Sequence, residues 1–592
     1  MTPDTAGLAA PSPTAAPTAS PGRAAAALAR MRSLLPGPAD YRDLRRTWKG
    51  DLLAGVTVGI VALPLALGFG VSSGLTAEQG LITAIVAGLL AAVLGGSNVQ
   101  VSGPTGAMVV VLLPIVATQG AGAVAAVTLL AGVIVVAAGA LRLGRVVGII
   151  PWPVIEGFTL GIACTIFLQQ VPLITSAEQA IPGELSTNAV AAAVQSLAAA
   201  DPSYLAWALG AVAIVVACMV LAPRIHPSIP GSLVGIAVVA VLALVLPSPL
   251  ARIGTIPSEL PAPSLPVLDL QSLRVLLPAA LTVAALAAIE SLLSARVAGG
   301  LADTGSVDPD RELVGQGVAS IGASLFGGMP ATGAIARTSV NVRAGARSRL
   351  AAVVHALVLL AVVYVAAGPV GMIPLAALAG VLFVTAVRMV QVATVRMIVR
   401  STRADAITFA LTALITVSVD LVVAVLIGIV LAAFFALRSI SRSSGVALEP
   451  IRSAEPEQGD EEIVAVRFTG QLFFTSAERV FDTVMAVGPV TVVILRMSAL
   501  ELVDASGARI LSEIVSGLER RGITVLIKGV QDQHAELLRG VGVLRALRHH
   551  KHLFVGFDDA LEHARSHVRR ARATREVPPT RGIAAAKQPA GA

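Results

Sequence analysis

Polar and apolar positions in this chain come in blocks rather than in short alternation. Between Asp51 and Arg438 nearly every residue falls in an apolar run or a short loop. A bilayer-spanning helix needs about 20 apolar residues, and a half-helix needs fewer. The runs predict spans at 52–70, 80–94, 105–118, 122–141, 147–168, 204–221 and 232–246. A second set follows at 273–295, 313–326, 333–342, 350–367, 375–389, 406–419 and 421–437. The weaker segment 189–200 reads as a surface helix, which leaves fourteen spans.

Two of these runs are short, and each is opened by a glycine-rich break. The first break is Gly95-Gly96-Ser97 through Ser102-Gly103-Pro104-Thr105-Gly106; the second is Gly327-Gly328-Met329-Pro330-Ala331-Thr332-Gly333-Ala334. Unpaired backbone in lipid costs several kcal/mol per group, so such breaks survive only where they line a protein-walled cavity. Interrupted segments at matching places in two halves point to a transporter's binding site. The halves also look related: Thr57-Val58 precedes Leu65 by the spacing at which Thr282-Val283 precedes Glu290. Two inverted sets of seven spans are the natural reading.

After Arg438 the texture changes. A polar linker, 441–460, leads into strands and helices alternating over 461–565, the mark of a small α/β domain. Strands are expected at 463–468, 471–474, 490–495 and 524–527, with helices from Ser476, over 506–521 and over 534–540. The Ala/Pro/Ser/Thr-rich segment 1–40 reads as a disordered arm, and the basic segment 566–592 as a disordered tail.

Composition agrees. Only 13% of the 592 residues are charged, against about 25% in a soluble domain. The net charge of +7 does not imply nucleic acid, because the arginines gather in loops after even-numbered spans. These are Arg142 and Arg145, Arg224, Arg296 and Arg311, then Arg343, Arg347 and Arg349, and later clusters. By the positive-inside rule both termini are expected in the cytoplasm, and the transport domain, 41–440, is expected in the plasma membrane. The two cysteines, Cys164 and Cys218, lie inside apolar runs, so neither a disulfide framework nor thiol ligation is expected. No hydrolytic triad, metal box or nucleotide loop stands out; the chain does not read as an enzyme, and neither cofactor nor metal is expected.

Glu290 is the acid in the middle of a strongly apolar span of the second half, with Ser291 and Ser294 beside it. Ionised, it would cost at least about 2.5–3.5 kcal/mol there, so it should be protonated, paired or facing water. With Ser294 it is the candidate for coupling to a proton or sodium ion. Arg337 stays charged and would either attract an anion or pair with Glu290. The short helices opened near Thr105 and Gly333 would aim backbone N–H groups and dipole ends at the break, with Gly106 and Ala334 beside them and hydroxyls from Thr105 and Thr332. Glu156, at a helix start, reads as a gate or packing residue.

Ala62-Leu63-Pro64-Leu65-Ala66-Leu67-Gly68-Phe69-Gly70, Ser102-Gly103-Pro104-Thr105, Glu312-Leu313-Val314-Gly315-Gln316-Gly317 and Arg337-Thr338-Ser339-Val340-Asn341 resemble the recurrent signatures of the SulP family of anion transporters. Val503-Asp504-Ala505-Ser506-Gly507 resembles the core of its STAS domain. The resemblance covers residues 42–565. It implies core and gate domains, an anion between the short helices, elevator-type movement and a homodimer. Carried over residue by residue, Phe69, Thr105, Gly333 and Ala334 would meet substrate, and Glu290 would be the coupling acid. Sodium-coupled members tend to carry Asp at that position and a hydroxyl where this chain has Ile335, which favours a proton. The STAS phosphoacceptor position holds Ala505, with Ser506 read as a helix cap, so the domain reads as a structural or regulatory module open to a cytoplasmic regulator. The function expected is proton-coupled transport of sulfate or bicarbonate. The alternatives are a dicarboxylate substrate or sodium-coupled bicarbonate uptake.

Overall fold

A computed structural model describes residues 32, 34–42, 44–145, 150–175, 186, 188–226, 229–266, 270–301, 304–419, 421–443, 445–451 and 455–576. Most of the expected arm (1–31 and 33) and the end of the expected tail (577–592) lie outside the described residues. The chain divides into two units, Met1–Val430 and Leu431–Ala592.

Helices stand at all fourteen expected places. The first set is Leu44–Ser72, Ala77–Leu94, Gly106–Gln119, Ala123–Ala140, Trp152–Gln169, Pro202–Ile225 and Gly231–Val245. The second is Leu270–Leu301, Pro309–Leu325, Ile335–Arg343, Leu350–Gly371, Leu375–Met389, Arg403–Ser418 and Leu421–Ser443. Ala189–Ala198 forms a separate short helix, as expected, and Val392–Arg400 is another that the sequence reading did not separate. The first four helices of each set pack together; Trp152–Gln169, Pro202–Ile225 and Gly231–Val245 pack with Leu375–Met389 and Arg403–Ser418. Small residues set these approaches. A Cβ on Gly132 would stand 2.7 Å from the carbonyl oxygen of Gly317, and one on Gly317 would stand 2.6 Å from that of Gly132. Such close backbone contact drives helix association where lipid offers no hydrophobic force.

The loop contacts agree with alternate crossing. Loops after even-numbered spans gather at one end: Gly96 N–H donates to Glu312 Oε2 at 2.8 Å, and Gly144 N–H to Asp310 Oδ1 at 3.1 Å. Asp40, before the first helix, joins them by accepting from Arg311 Nη1 at 2.9 Å. Odd-numbered loops meet at the other end, where Ile253 N–H donates to the carbonyl oxygen of Ile373 at 3.0 Å and Ser264 N–H to that of Leu325 at 2.7 Å.

In the second unit, five strands lie in sequence order, β3 (Gly445–Pro450), β4 (Ile463–Leu472), β5 (Val492–Val503), β6 (Thr524–Lys528) and β7 (Leu553–Phe554). The pair β3–β4 is antiparallel and the rest are parallel. One face carries the helices Phe474–Met485, Ala505–Arg520 and Asp532–Val541, through Val480, Leu511, Ile514 and Leu538. The other face is covered by Phe557–Glu576, through Ala560, Leu561, Ala564 and Val568.

Three expectations need correction here. The linker 441–460 contains the edge strand β3, which buries none of its residues and so carries no apolar signal. The strands expected at 463–468 and 471–474 are one strand, bent by register shifts against β5. The tail expected from 566 is helical to Glu576, because its arginines meet an acidic segment. Arg565 Nη2 pairs with Asp460 at 2.8 Å and Arg572 Nε with Glu462 at 2.7 Å.

The hydrogen bond from Arg565 holds the Asp460 carboxyl below its ordinary value of 3.8, against the opposing effect of burial. A depressed carboxyl contributes stability above its unfolded value and loses it as pH falls through the folded one. Acidification below pH 3.8 should therefore loosen Phe557–Glu576. At pH 7, Arg565→Ala should raise amide exchange in that helix by about ten-fold or more, as expected for a charge-assisted bond of about 1.5–3 kcal/mol. Hydrogen exchange of the full chain, corrected for intrinsic rates, checks both; unchanged protection would refute the pairing's role.

Candidate functional site

The two breaks meet. Ser102–Gly103 (β1) and Thr332–Gly333 (β2) form an antiparallel pair, Ser102 opposite Gly333 and Gly103 opposite Thr332. Each break thereby satisfies the other's backbone, and the short helices Gly106–Gln119 and Ile335–Arg343 leave from this pair. Gly103 has φ +151°, and a Cβ there would stand 2.8 Å from Arg337 Nη1. Only glycine lets the guanidinium lie against the strand.

Glu290 reaches the junction from the helix Leu270–Leu301. Its Oε2 accepts from Thr105 Oγ1 and from Thr332 Oγ1, both at 2.8 Å, and the two hydroxyls stand 3.2 Å apart. Each half contributes one threonine to one carboxylate oxygen. Thr105 and Thr332 are buried, whereas Glu290 keeps part of its surface open.

Arg337 is 2% exposed. Its Nη2 donates to the carbonyl oxygen of Pro104, while Nη1 has no partner among the described residues. No ion pair joins it to Glu290 among the described residues. Of the two readings left open by the sequence, pairing with Glu290 is not adopted. A buried guanidinium with one orphaned nitrogen thus stands near a partly open carboxyl, and the sign of the junction turns on whether Glu290 carries a proton.

The expected backbone donors are redistributed. Gly333 N–H donates to Ser291 Oγ at 3.1 Å and Ala334 N–H to the carbonyl oxygen of Val101 at 2.9 Å. Both are used in holding the break. The uncapped first turn of the second short helix belongs to Ile335, Ala336 and Arg337, with Ile335 half-buried and Ala336 exposed. Gly106 opens the first short helix after Thr105, whose side chain makes no cap bond because it serves Glu290. Phe69 stands beside it: a Cβ on Gly106 would lie 3.4 Å from Phe69 Cε1 and would collide with Ile166. Ser294 does not reach Glu290; its hydroxyl lies 3.4 Å from Thr338 Oγ1, which accepts from Val101 N–H at 3.0 Å. Ser291 is thus the serine at the junction. Glu156 accepts from Trp152 Nε1 at 3.2 Å on its own helix.

Sequence reasoning did not single out Glu312 or Gln100. Glu312 is 2% exposed and accepts from Gly96 N–H at 2.8 Å, Ser97 N–H at 3.1 Å and Gln100 Nε2 at 2.9 Å. It anchors the start of the first break, and Gln100 carries that anchor to Gly333, where an added Cβ would overlap the amide. The signal available was an acid in the first turn of a helix, three residues after Pro309, facing a glycine pair. In the second unit, Asp504, not Ser506, caps its helix, accepting from Gly507 N–H at 2.7 Å.

A sequence model of the sulfate permease family matches residues 48–412, and one of the STAS domain matches 457–560. The chain is 34% identical over 505 residues to the putative sulfate transporter YvdB of Bacillus subtilis, covering 84% of this chain and 94% of that protein. It is 32% identical over 464 residues to the bicarbonate transporter BicA of Picosynechococcus, covering 74% and 80% respectively. The murine Slc26a9 anion transporter, solved in an inward-facing state, shares the fold with a TM-score of 0.77 over 94% of this chain and 96% of that one, at 19% identity. The transmembrane domain of a cyanobacterial BicA gives 0.55 at 31% identity, covering 66% of this chain and 98% of that one. These likenesses bear out the expected fold of two inverted sets of seven spans, core and gate, followed by an α/β STAS domain.

The tight fit around Gly333 gives a direct check. Gly333→Ala should lower the stability of the purified chain by about 1–3 kcal/mol, the usual cost of overpacking. Gly122→Ala, where an added Cβ meets nothing within 4 Å, should leave it unchanged. Thermal unfolding in detergent compares them; equal midpoints would refute the close packing of the break.

Proposed function

The chain belongs to the sulfate permease family, and from that premise we propose that it is a secondary active transporter of a small inorganic anion, sulfate or bicarbonate, coupled to a proton at Glu290. The observation that carries this reading is the shared carboxylate: hydroxyls from both halves converge on one oxygen of Glu290, beside the unpartnered Arg337 Nη1. The substrate classes come from the relatives, named for sulfate and for bicarbonate transport.

The magnitudes favour joint movement. Two negative charges about 4 Å apart at an effective dielectric of about 20 repel by about 4 kcal/mol. An uncapped helix N-terminus contributes only about 0.3–2 kcal/mol toward an anion. An anion beside an ionised Glu290 is therefore disfavoured unless Arg337 and both helix ends act together, and a proton on Glu290 removes the repulsion. The same proton lowers the cost of carrying the core across the bilayer by an elevator-type displacement against the gate. Gly106 and the first turn of Ile335–Arg343 hold the anion, with Phe69 closing one side. Residence in the plasma membrane with cytoplasmic termini, a homodimer and a regulator at the STAS domain belong to the same reading. The arginine-bearing loops gathered at one end support the orientation.

A second reading, sodium coupling, rests on the three oxygens of Glu290, Thr105 and Thr332 grouped within hydrogen-bond distance. Uptake of labelled sulfate and bicarbonate into proteoliposomes separates the two. An inward proton gradient should accelerate uptake and a sodium gradient should not, with the reverse for the second reading. Glu290→Gln should abolish gradient dependence; a variant that transports normally and still follows the proton gradient would sink the coupling role. Arg337→Gln should cut uptake by about ten-fold or more, since it removes the buried cation and leaves the Pro104 carbonyl unsatisfied, at about 1–3 kcal/mol.

A further inference from the structure

Far from the anion site in sequence, the second unit gathers histidines that transport does not use. His563 and His567 lie one turn apart on the helix Phe557–Glu576, and His552 stands directly before the edge strand β7. One ring nitrogen from each of the three lies within 4.8 Å of the others. Ring centroids are 5.0 Å apart for His563 and His567, 5.3 Å for His552 and His567, and 5.5 Å for His552 and His563.

We propose that His552, His563 and His567 form a binding site for a divalent transition metal, Zn²⁺ foremost, that ties the C-terminal helix to the edge strand of the sheet. The geometry is close to that of a bound state. Imidazole nitrogens lie about 2.0–2.1 Å from a tetrahedral Zn²⁺, which sets them about 3.3–3.4 Å apart. His563 Nε2 and His567 Nε2 stand 3.3 Å apart. Two uncharged rings gain only a shared proton from such closeness, whereas a metal satisfies both. His552 is 1% exposed and its Nδ1 has no partner among the described residues, so the third ring brings an orphaned nitrogen to the cluster. Neutral imidazoles select zinc, copper and nickel over magnesium and calcium, which prefer oxygen. The exposed His549, its ring centroid 5.5 Å from that of His552, or a water would supply the fourth ligand.

Burial disfavours the protonated form of all three rings, with Arg570 and the neighbouring histidines acting in the same sense. Arg570 and Arg548 oppose a cation, but both are exposed to solvent screening, and Arg548 Nε is paired with Glu519 Oε2 at 3.2 Å. The mechanical consequence follows from the topology. β7 is two residues long and pairs only with β6, at Leu553 and Phe554. A metal bound by His552 from one side and His563 and His567 from the other would clamp that edge to the helix packed over it.

The test uses the full chain purified after chelation. Equilibrium dialysis against Zn²⁺ should give one ion per chain, and His563→Ala/His567→Ala should lose it. Both positions are half-buried and helical, where alanine is well tolerated. An unchanged circular dichroism spectrum checks that the fold survives. Independently of any variant, Co²⁺ added to the natural protein should give the intense visible absorption of a tetrahedral nitrogen-rich site, and Zn²⁺ should displace it. Zinc content unchanged by the double substitution, or no such absorption from the natural protein, overturns the proposal.

Discussion

A backbone break inside a membrane must find its hydrogen-bond partners within the protein, and the architecture around the site follows from that requirement. The breaks before the two short helices solve it mutually, by pairing Ser102–Gly103 with Thr332–Gly333. The pairing fixes the distance between the halves and places Thr105 and Thr332 on the same carboxylate oxygen. Other polar groups near the break are drawn in for the same reason. Ser291 and Val101 satisfy Gly333 and Ala334, Glu312 satisfies Gly96 and Ser97, and Arg337 satisfies Pro104.

What is left over makes up the proposed site. After the internal partners are assigned, the unspent groups at the junction include, among the described residues, Arg337 Nη1, the uncapped first turn of the second short helix and the open face of Glu290. Two of these attract a negative charge and one, when ionised, repels it. A site built from such opposed groups binds an anion best when a proton accompanies it, and this balance underlies the transport reading. On the Thr-Val spacing of the two halves, the first half would place Leu65 opposite Glu290, which gives the asymmetry a sequence origin.

Elements set by local signals were legible. Apolar runs located the fourteen helices, and the glycine breaks together with Glu290 pointed to the junction where the breaks pair. Elements set by distant partners were not. Gly333 and Ala334 read as free donors because nothing near them in sequence says that Ser291 and Val101 take their N–H groups. Glu312 read only as part of a motif because its role depends on a glycine pair more than 200 residues earlier. The strand β3 exposes or half-exposes every residue, and the helix after 565 has a basic face that is solvated in isolation. Only the acidic segment around Asp460 and Glu462 explains why that helix persists to Glu576.

The central claim is that the junction of the two breaks is where the anion sits. A cryo-electron microscopy map of the nanodisc-embedded protein, saturated with the anion it transports, tests this most directly. The account predicts added density between the start of Gly106–Gln119 and the start of Ile335–Arg343, within hydrogen-bond distance of the Ile335–Arg337 first turn and in reach of Arg337. Density confined to another cavity, with this junction unchanged, would contradict it.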